Sequence, residues 1–348
     1  MITDLSKGKI LVTGGSGLIG SAVVWELNRR GYTNIIISDH LRDSEKWKNL
    51  VPLRFLDYLE ADDLAEGLVR SPKQYDISAI FHLGACSATT ETNAAYLVRN
   101  NYEYTKLLAH FALAEGLRFL YASSAATYGA LESGLSESRP LQSLRPLNMY
   151  GYSKHLFDCY ASSHGFLGRV TGLKYFNIFG PNENHKGNMR SVVHKAFHQI
   201  RETGRVSLFK SYRQEFPDGG QRRDFLYVKD AADITVTLAE TVDGRGLFNV
   251  GAGEANTWLT LVKAIFDALG SAPEIDFIDM PENLRGKYQY FTCADISKLR
   301  SAGYTKPLTP LPEAVRDYVE TYLSRDRHLG DEADYSPGPH AFGVQPSV

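Results

Sequence analysis

The sequence predicts an α/β protein, a doubly wound parallel sheet with a smaller mixed C-terminal domain. Three observations predict it. Apolar, β-branched runs alternate with amphipathic helical patterns through the first half, and strand, crossover helix, strand is the recipe for a parallel sheet covered on both faces. A glycine-spaced turn follows the first run directly. The second half then loses the alternation, interrupted by Pro181, Asn182, Asn184, Gly187 and the loop-forming EFPDGGQ (215–221).

Taken in order, KILVT (9–13) is the first strand, and LIGSAVVWELNRRG reads as a helix with Gly31 at its C-cap. NIIIS (34–38), SAIFHLG (78–84), LRFLYAS (117–123) and VTGLKYF (170–176) are the next strands. Beyond them, RRDFLYV (222–228) reads as a strand, KDAADITVTLAETV (229–242) as a helix and LFNVG (247–251) as a strand, and Thr257 caps a helix over 258–269. From Ser324 onward the chain is charged and then rich in Pro and Gly, so 324–348 is expected to be unstructured.

Composition narrows the function classes. An apolar fraction of 43% supports a sizeable core. Lys plus Arg number 38 against 40 Asp plus Glu. That balance gives no basic footprint for a nucleic acid and no polybasic patch for a membrane. No apolar run reaches the ~18 residues of a spanning helix, and no secretory leader fits ahead of KILVT. Cys86, Cys159 and Cys293 are few and scattered, without a CxxC pair. The expectation is a cytoplasmic protein without disulfides or structural zinc.

Thr13-Gly14-Gly15-Ser16-Gly17-Leu18-Ile19-Gly20 leaves a strand and opens a helix. Gly14, Gly17 and Gly20 suit a tight turn, backbone approach to a pyrophosphate and close helix–strand packing. Asp39 ends the second strand, about 20 residues on, where an acid accepts ribose hydroxyls. Dinucleotide binding is therefore expected in a domain formed by 1–176 plus 222–251, leaving 177–221 plus 252–323 for a substrate. Asp39 alone favours NAD, but Arg42 and Lys46 follow closely and can neutralise the 2′-phosphate of NADP; the choice stays open.

Tyr150 and Lys154 share one face of a predicted helix at i and i+4. A phenol with a pKa near ~10 needs about 4 kcal/mol of differential stabilisation to act as a base near neutrality. An adjacent ammonium, a nicotinamide cation and exclusion of water can supply it. Tyr102 and Lys106 match the same spacing. Only Tyr150, however, follows the serine-rich strand end Tyr121-Ala122-Ser123-Ser124, at the carboxyl edge where open α/β sheets bind ligands. Tyr102 is read as packing.

The order of glycine turn, serine-bearing strand end and Tyr-x-x-x-Lys resembles the extended short-chain dehydrogenase/reductase family of nucleotide-sugar epimerases and dehydratases, with its Rossmann-like fold. FHLGACSATTE (81–91), NNYEYTK (100–106), FLYASSAATYG (119–129), LNMYGYSK (147–154), YFNIFGPNENHKGNM (175–189), RDFLYV (223–228) and LRGKYQYFTCADI (284–296) resemble its ADP-heptose 6-epimerase branch. HKG (185–187) and GKYQ (286–289) are the most specific of these motifs. The resemblance implies a redox-neutral inversion of carbon 6 through a transient carbonyl, with NADP (or NAD) kept bound. It implies that Ser124 and Tyr150 contact the reacting oxygen, that Lys154 binds the nicotinamide ribose and tunes Tyr150, and that Lys186 is the acid/base group on the opposite face. It places Gly14, Gly17, Leu18, Ile19, Gly20, Asp39, His40, Lys46, Leu83, Gly84, Ala85, Cys86, Ser87, Asn100, Lys154, Ile178 and Lys186 along the cofactor. It places Ser124, Asn177, Asn188, Lys195, Phe209, Lys210, Ser211, Tyr212, Arg223 and Tyr288 at the nucleotide sugar, with Arg223 clamping its diphosphate. The family's second phosphate-side basic position is Ala61 here. The resemblance also implies a homo-oligomer.

Several readings are set aside. In related dehydratases an Asp-Glu pair follows the residue matching Ser124; here Ala125 and Ala126 stand there and cannot move protons. A UDP-hexose 4-epimerase is disfavoured by NHKGNM and GKYQ. A non-catalytic NAD(P)-sensing protein would be expected to lack part of the catalytic pair. His194 and His198 share a helix face but lack the glutamate of HExxH, so no metal is expected. His82 and Cys86 are read as packing groups.

Overall fold

The computed structural model of the protein describes residues 4–285 and 288–331. Twelve strands are present among them: β1 (Lys9–Thr13), β2 (Ile35–Asp39), β3 (Asp57–Glu60), β4 (Ile77–His82), β5 (Arg118–Ser124), β6 (Thr171–Tyr175), β7 (Asn177–Phe179), β8 (Val206–Phe209), β9 (Arg222–Tyr227), β10 (Gly246–Val250), β11 (Ala255–Thr257) and β12 (Ile275–Ile278). Eight helices matter here: α1 (Leu18–Arg29), α2 (Ala61–Arg70), α3 (Ala94–Leu97), α4 (Tyr104–Ala114), α5 (Met149–Ser163), α6 (Val192–Thr203), α7 (Val228–Glu240) and α8 (Trp258–Ala268). A wider π-helical turn, Val98–Glu103, joins α3 to α4.

Seven strands form one sheet in the order β10-β6-β5-β4-β1-β2-β3, every pairing parallel. The strand order reverses between β1 and β4, which opens a crevice at their carboxyl ends. Alternation along each strand builds two cores. Ile10, Val12, Ile35, Ile37 and Phe81 pack with Val23, Leu27, Ala231 and Ile234 of α1 and α7. Leu11, Ile36, Ile80, Phe119 and Tyr121 face the other way, against Leu64, Leu108, Ala112 and Phe157 of α2, α4 and α5. With both faces covered, near-continuous apolar strands are what burial selects.

The second half forms a three-stranded sheet, β11-β9-β7, and a two-stranded one, β12-β8. Of the segment 222–251, β10 joins the large sheet and α7 packs beside α1, whereas β9 pairs with β7 and β11. The strand reading of RRDFLYV is right, but local pattern does not name a strand's partner. Thr257 caps α8 by accepting from the Thr260 amide, and Gly31 follows α1 with φ +90°.

Residues 324–331, expected to be unstructured, are held against the body of the protein. A short 3₁₀ turn covers Leu323–Arg325, and Leu329 is fully buried. Its amide donates to Asn182 Oδ1 (3.0 Å), and Asn182 Nδ2 donates to Ser21 Oγ at the start of α1 (2.9 Å). Charge misled composition here, because a single buried leucine fixes the turn. Residues 332–348, like Gly286 and Lys287 of the GKYQ motif, lie outside the described residues. No helix among the described residues is long and apolar enough to cross a membrane.

Candidate functional site

The glycine turn sits at the crevice. Gly14 has φ +67°, and a Cβ there would lie 2.5 Å from Gly84 Cα in the loop after β4. A Cβ on Gly20 would lie 2.7 Å from the Gly14 carbonyl carbon and 2.8 Å from Gly15 Cα. Gly17 differs: it is the N-cap of α1, with no side-chain cap, and an added Cβ would meet only Gly14 O, at 3.3 Å. The first turn of α1 therefore leaves amides free for an anion, as a pyrophosphate requires.

Beside the turn lies a cleft of about 240 Å³ whose lining includes Asp39, His40, Lys46, Gly84, Ala85, Cys86 and Asn100, all named from sequence. Arg42, Ser44, Tyr96 and Tyr104 line it too. Asp39 is buried and fully engaged. Its Oδ2 accepts from Ser16 N (3.1 Å) and from Ser16 Oγ; its Oδ1 accepts from His40 N (2.7 Å) and Lys46 Nζ (2.9 Å). Glycine cradle, acid and cleft together fit a nicotinamide dinucleotide.

At the far side of the crevice, Asn148 caps α5 by accepting from Gly151 N (2.8 Å). A Cβ on Gly151 would lie 2.8 Å from Ala126 O, so the glycine lets α5 approach the turn after β5 closely. That approach brings Tyr150 to Ser124, which hydrogen-bonds its phenol. Burial nevertheless pushes the Tyr150 pKa up, and the Ser124 hydrogen bond only partly opposes this. This departs from the expectation that neighbouring groups lower it: depth of burial outweighs them, and Lys154 is not among the groups that shift it. Lys154, one turn on, is 5% exposed and has no hydrogen bond among the described residues. Burial lowers its pKa to about 8, opposed by the charges of Asp158 and Cys86. A buried ammonium without a partner fits a waiting ribose.

Asn101, which the sequence reading passed over in favour of its neighbour, holds the loop after β4. It accepts from Cys86 N (2.8 Å) and donates to Cys86 O (2.9 Å) and Ser153 Oγ (3.0 Å). Asn100 points its amide at the Tyr96 carbonyl (2.8 Å). Only the register of the π-helical turn separates the two roles, and no local signal marks it.

Lys186 lies on the turn Asn184–Met189 after β7, half-buried, with a kink at Gly187. Burial lowers its pKa, partly offset by Glu183. Glu183, fully buried, pins the base of this turn by accepting from Ser191 N and Oγ (2.5 and 2.6 Å) and Tyr318 OH (3.0 Å). Asn49 also went unread. From the helical segment that carries Lys46, its Nδ2 donates to Ser16 O (2.9 Å) and Asn182 O (3.1 Å). One buried amide thus joins the glycine turn to the Lys186 loop.

The residues read as substrate contacts divide. Arg223 is 7% exposed and pairs with no carboxylate among the described residues, and its guanidinium donates to the Arg222 carbonyl (2.9 Å). Its guanidinium lies over Tyr288 (5.1 Å) and Trp258 (5.8 Å), and Trp258 Nε1 donates to Tyr288 OH (3.0 Å). Phe209 meets Tyr288 edge-on at 6.4 Å. Gln289 Nε2 donates to Gly129 O (2.7 Å), joining this aromatic cage to the turn after β5. Lys210 and Tyr212 OH instead engage Asp279 (3.2 and 3.1 Å), and Ser211 N donates to Asp218. Asn177 and Asn188 are exposed, and Lys195 Nζ donates to Asn188 O (2.6 Å). Ile178, in β7, packs at the edge of the core.

His82 is structural. His82 lies between Thr13 Oγ1 (2.7 Å) and Thr105 Oγ1 (2.9 Å), and burial drives its pKa down to about 3. Its ring is expected to show no titration by NMR between pH 8 and 4.5. Below its ordinary value near 6.5 the unfolded chain takes the proton first. Its share of stability is therefore intact above pH 6.5 and lost as pH falls toward 3. A His82→Gln protein should accordingly show a shallower dependence of the urea midpoint on pH between 6.5 and 4.5. Asp224, pushed up to about 6 by burial, acts in the opposite sense and does not remove that difference. His194 and His198 stack at 4.6 Å, and no group of three metal-ligating side chains exists among the described residues.

Comparison with known proteins agrees with this geometry. The model of the NAD dependent epimerase/dehydratase family matches residues 10–251. An ADP-L-glycero-D-manno-heptose-6-epimerase of Nitratidesulfovibrio vulgaris is 48% identical over 92% of this chain and 99% of its own. One from Fusobacterium nucleatum is 45% identical over 91% and 98%. The crystal structure of the Helicobacter pylori ADP-L-glycero-D-manno-heptose-6-epimerase superposes with a TM-score of 0.77 at 26% identity, covering 90% of this chain and 96% of that one. The chain belongs to the NAD dependent epimerase/dehydratase family, in its branch of ADP-L-glycero-D-manno-heptose-6-epimerases.

Proposed function

We propose that this enzyme inverts carbon 6 of the heptose in ADP-D-glycero-D-manno-heptose, giving the L-glycero epimer, with NADP as its resident cofactor. The carrying observation is Arg223: a buried guanidinium without an acid among the described residues, set against Tyr288 and Trp258, in a cage that Gln289, next to Tyr288, joins to the turn beyond Ser124. A fork of donors in an aromatic cage suits a diphosphate joined to a sugar.

The proton at carbon 6 is not acidic, so the chemistry a nicotinamide would supply when bound is uptake of a hydride from that carbon and its return to the other face. The chain's residues handle the protons. Tyr150, hydrogen-bonded to Ser124, takes the proton from the hydroxyl on one face as the carbonyl forms. Lys186, with its pKa already lowered, gives or takes it on the other. Lys154, as an ammonium, holds the ribose.

The Asp39 geometry supports NADP over NAD. Both carboxylate oxygens already accept internal hydrogen bonds, which leaves little capacity for ribose hydroxyls. Lys46 and Arg42 face the same cleft and suit a 2′-phosphate. The free thiols of all three cysteines suit a reducing cytoplasm.

The test is turnover on ADP-D-glycero-D-manno-heptose against UDP-glucose, with mass and absorbance of the nucleotide released on denaturation. Epimerisation of the heptose with near-stoichiometric NADP is expected; turnover of UDP-glucose alone, or release of NAD, overturns the reading. Replacing Arg223 with Met is expected to raise KM by about 10- to 100-fold, in line with the ~1.5–3 kcal/mol of a charged hydrogen bond. Initial rates across a substrate series check this.

A further inference from the structure

Behind Lys154 lies a buried ion pair that proton transfer does not use. Lys174 Nζ, on β6, meets Asp158 Oδ2 at 2.7 Å, with both side chains at most 1% exposed. Asp158 is saturated. Tyr121 OH donates to its Oδ1 (2.8 Å) and Ser123 Oγ to its Oδ2 (2.8 Å). Lys174 also donates to Thr127 Oγ1 (2.7 Å), in the turn directly after Ser124, and its ammonium lies 5.3 Å from the Tyr128 ring centre. Asp158 follows Lys154 by four residues on α5, so the two share a helix face. Ser123, which donates to Asp158, precedes Ser124 in β5.

We infer that Asp158, pinned by Lys174, Tyr121 and Ser123, is a positioning residue that keeps Lys154 charged and aligned for the reaction. The inference rests on the catalytic reading of Tyr150 and Lys154 given above. A buried charge pair is poor value for stability alone, since neutral replacements of similar size are often as stable. Here the carboxylate lies one helical turn behind an ammonium that burial would otherwise discharge. Lys174 bonds that carboxylate directly, and the two hydroxyls fix where it points.

The titratable groups around Lys154 come from three elements. They are Asp158 on α5, with Tyr150 one turn before Lys154 on the same helix, Cys86 in the loop after β4 and His82 on β4. His82 stays neutral, and Asp158 acts on Lys154 more strongly than Cys86 does. Lys154 works as a cation, so activity is lost as pH rises through its pKa. Removing the Asp158 charge lowers that pKa and moves the alkaline limb to lower pH.

The experiment is the pH profile of kcat/KM for heptose epimerisation by the full chain with its cofactor bound. Asp158→Asn should move the alkaline limb down by about one unit, the order expected for a charge one turn away in a partly screened interior. That shift means about an eightfold loss at pH 8.5 and near-wild-type activity at pH 6.5. The double variant Asp158→Asn with Lys174→Gln removes the pair as a neutral unit. It is the form to measure if the single variant leaves Lys174 uncompensated and fails to fold, and it should move the limb in the same direction by less, because the opposing charge of Lys174 goes too. A limb that stays in place, or a loss equal at every pH, overturns the inference and leaves the pair purely structural. Lys154→Arg separates the two readings: if that variant keeps the wild-type limb, the limb is not that of Lys154, and the catalytic reading itself fails.

Discussion

A Tyr150→Phe protein is expected to lose about 10²- to 10⁴-fold in kcat, the usual range for a positioned acid/base group. Its bound nucleotide and melting temperature should stay near wild type. The phenol is held by Ser124 at the carboxyl edge of β5, and phenylalanine keeps the ring while deleting the only atom that moves a proton. Retained nucleotide distinguishes lost chemistry from a lost site. If Tyr150 and Lys186 serve opposite faces, adding Lys186→Met should remove what activity remains. Full activity in Tyr150→Phe with Lys186→Met, measured by NMR of the heptose anomeric region, would refute the assignment of both residues.

Gly20→Ala and Gly17→Ala should behave differently although both lie in one turn. At Gly20 the new methyl meets backbone on two sides, the Gly14 carbonyl and Gly15 Cα. Backbone cannot rotate out of the way, so strain of about 1–3 kcal/mol or more is expected, with loss of folded yield and of bound nucleotide. At Gly17 the methyl meets one atom at a tolerable 3.3 Å. The chain should fold with a near-normal melting temperature after nucleotide removal, yet retain the dinucleotide poorly, because the methyl intrudes where a pyrophosphate approaches the amides. Thermal melts with and without added NADP separate the two. Equal melting temperatures for both apo variants would show that Gly20 packing is not what the turn requires.

The sequence made the large sheet legible because burial on both faces demands runs such as KILVT and NIIIS, and the turn legible because close approach demands glycine. It hid β3, whose Asp57 and Glu60 read as polar while the strand takes the sheet edge beyond β2. It also hid β7 and β11, of three residues each, and the β8–β12 pair, too short for a period to register. Ser124, Tyr150, Lys154 and Arg223 were visible as chemistry in sequence. Asn49, Asn101, Asp158 and Lys174 were not, because each is defined by partners distant in the chain or by a helical register that local pattern cannot specify. The discrepancy over Tyr150 has the same origin. Spacing promised an ammonium beside the phenol, while depth of burial, which spacing does not carry, sets the direction of its pKa.

The contact from Leu329 through Asn182 to Ser21 has a consequence for synthesis. On the ribosome, domains generally form in the order in which they emerge, and β1 with α1 are among the first segments out. Asn182, which buttresses the beginning of α1, is itself tethered by almost the last described residues. The cofactor turn therefore gains this support only after Leu329 has been made. Premature termination upstream of Leu329 would release a product in which Asn182 lacks that tether.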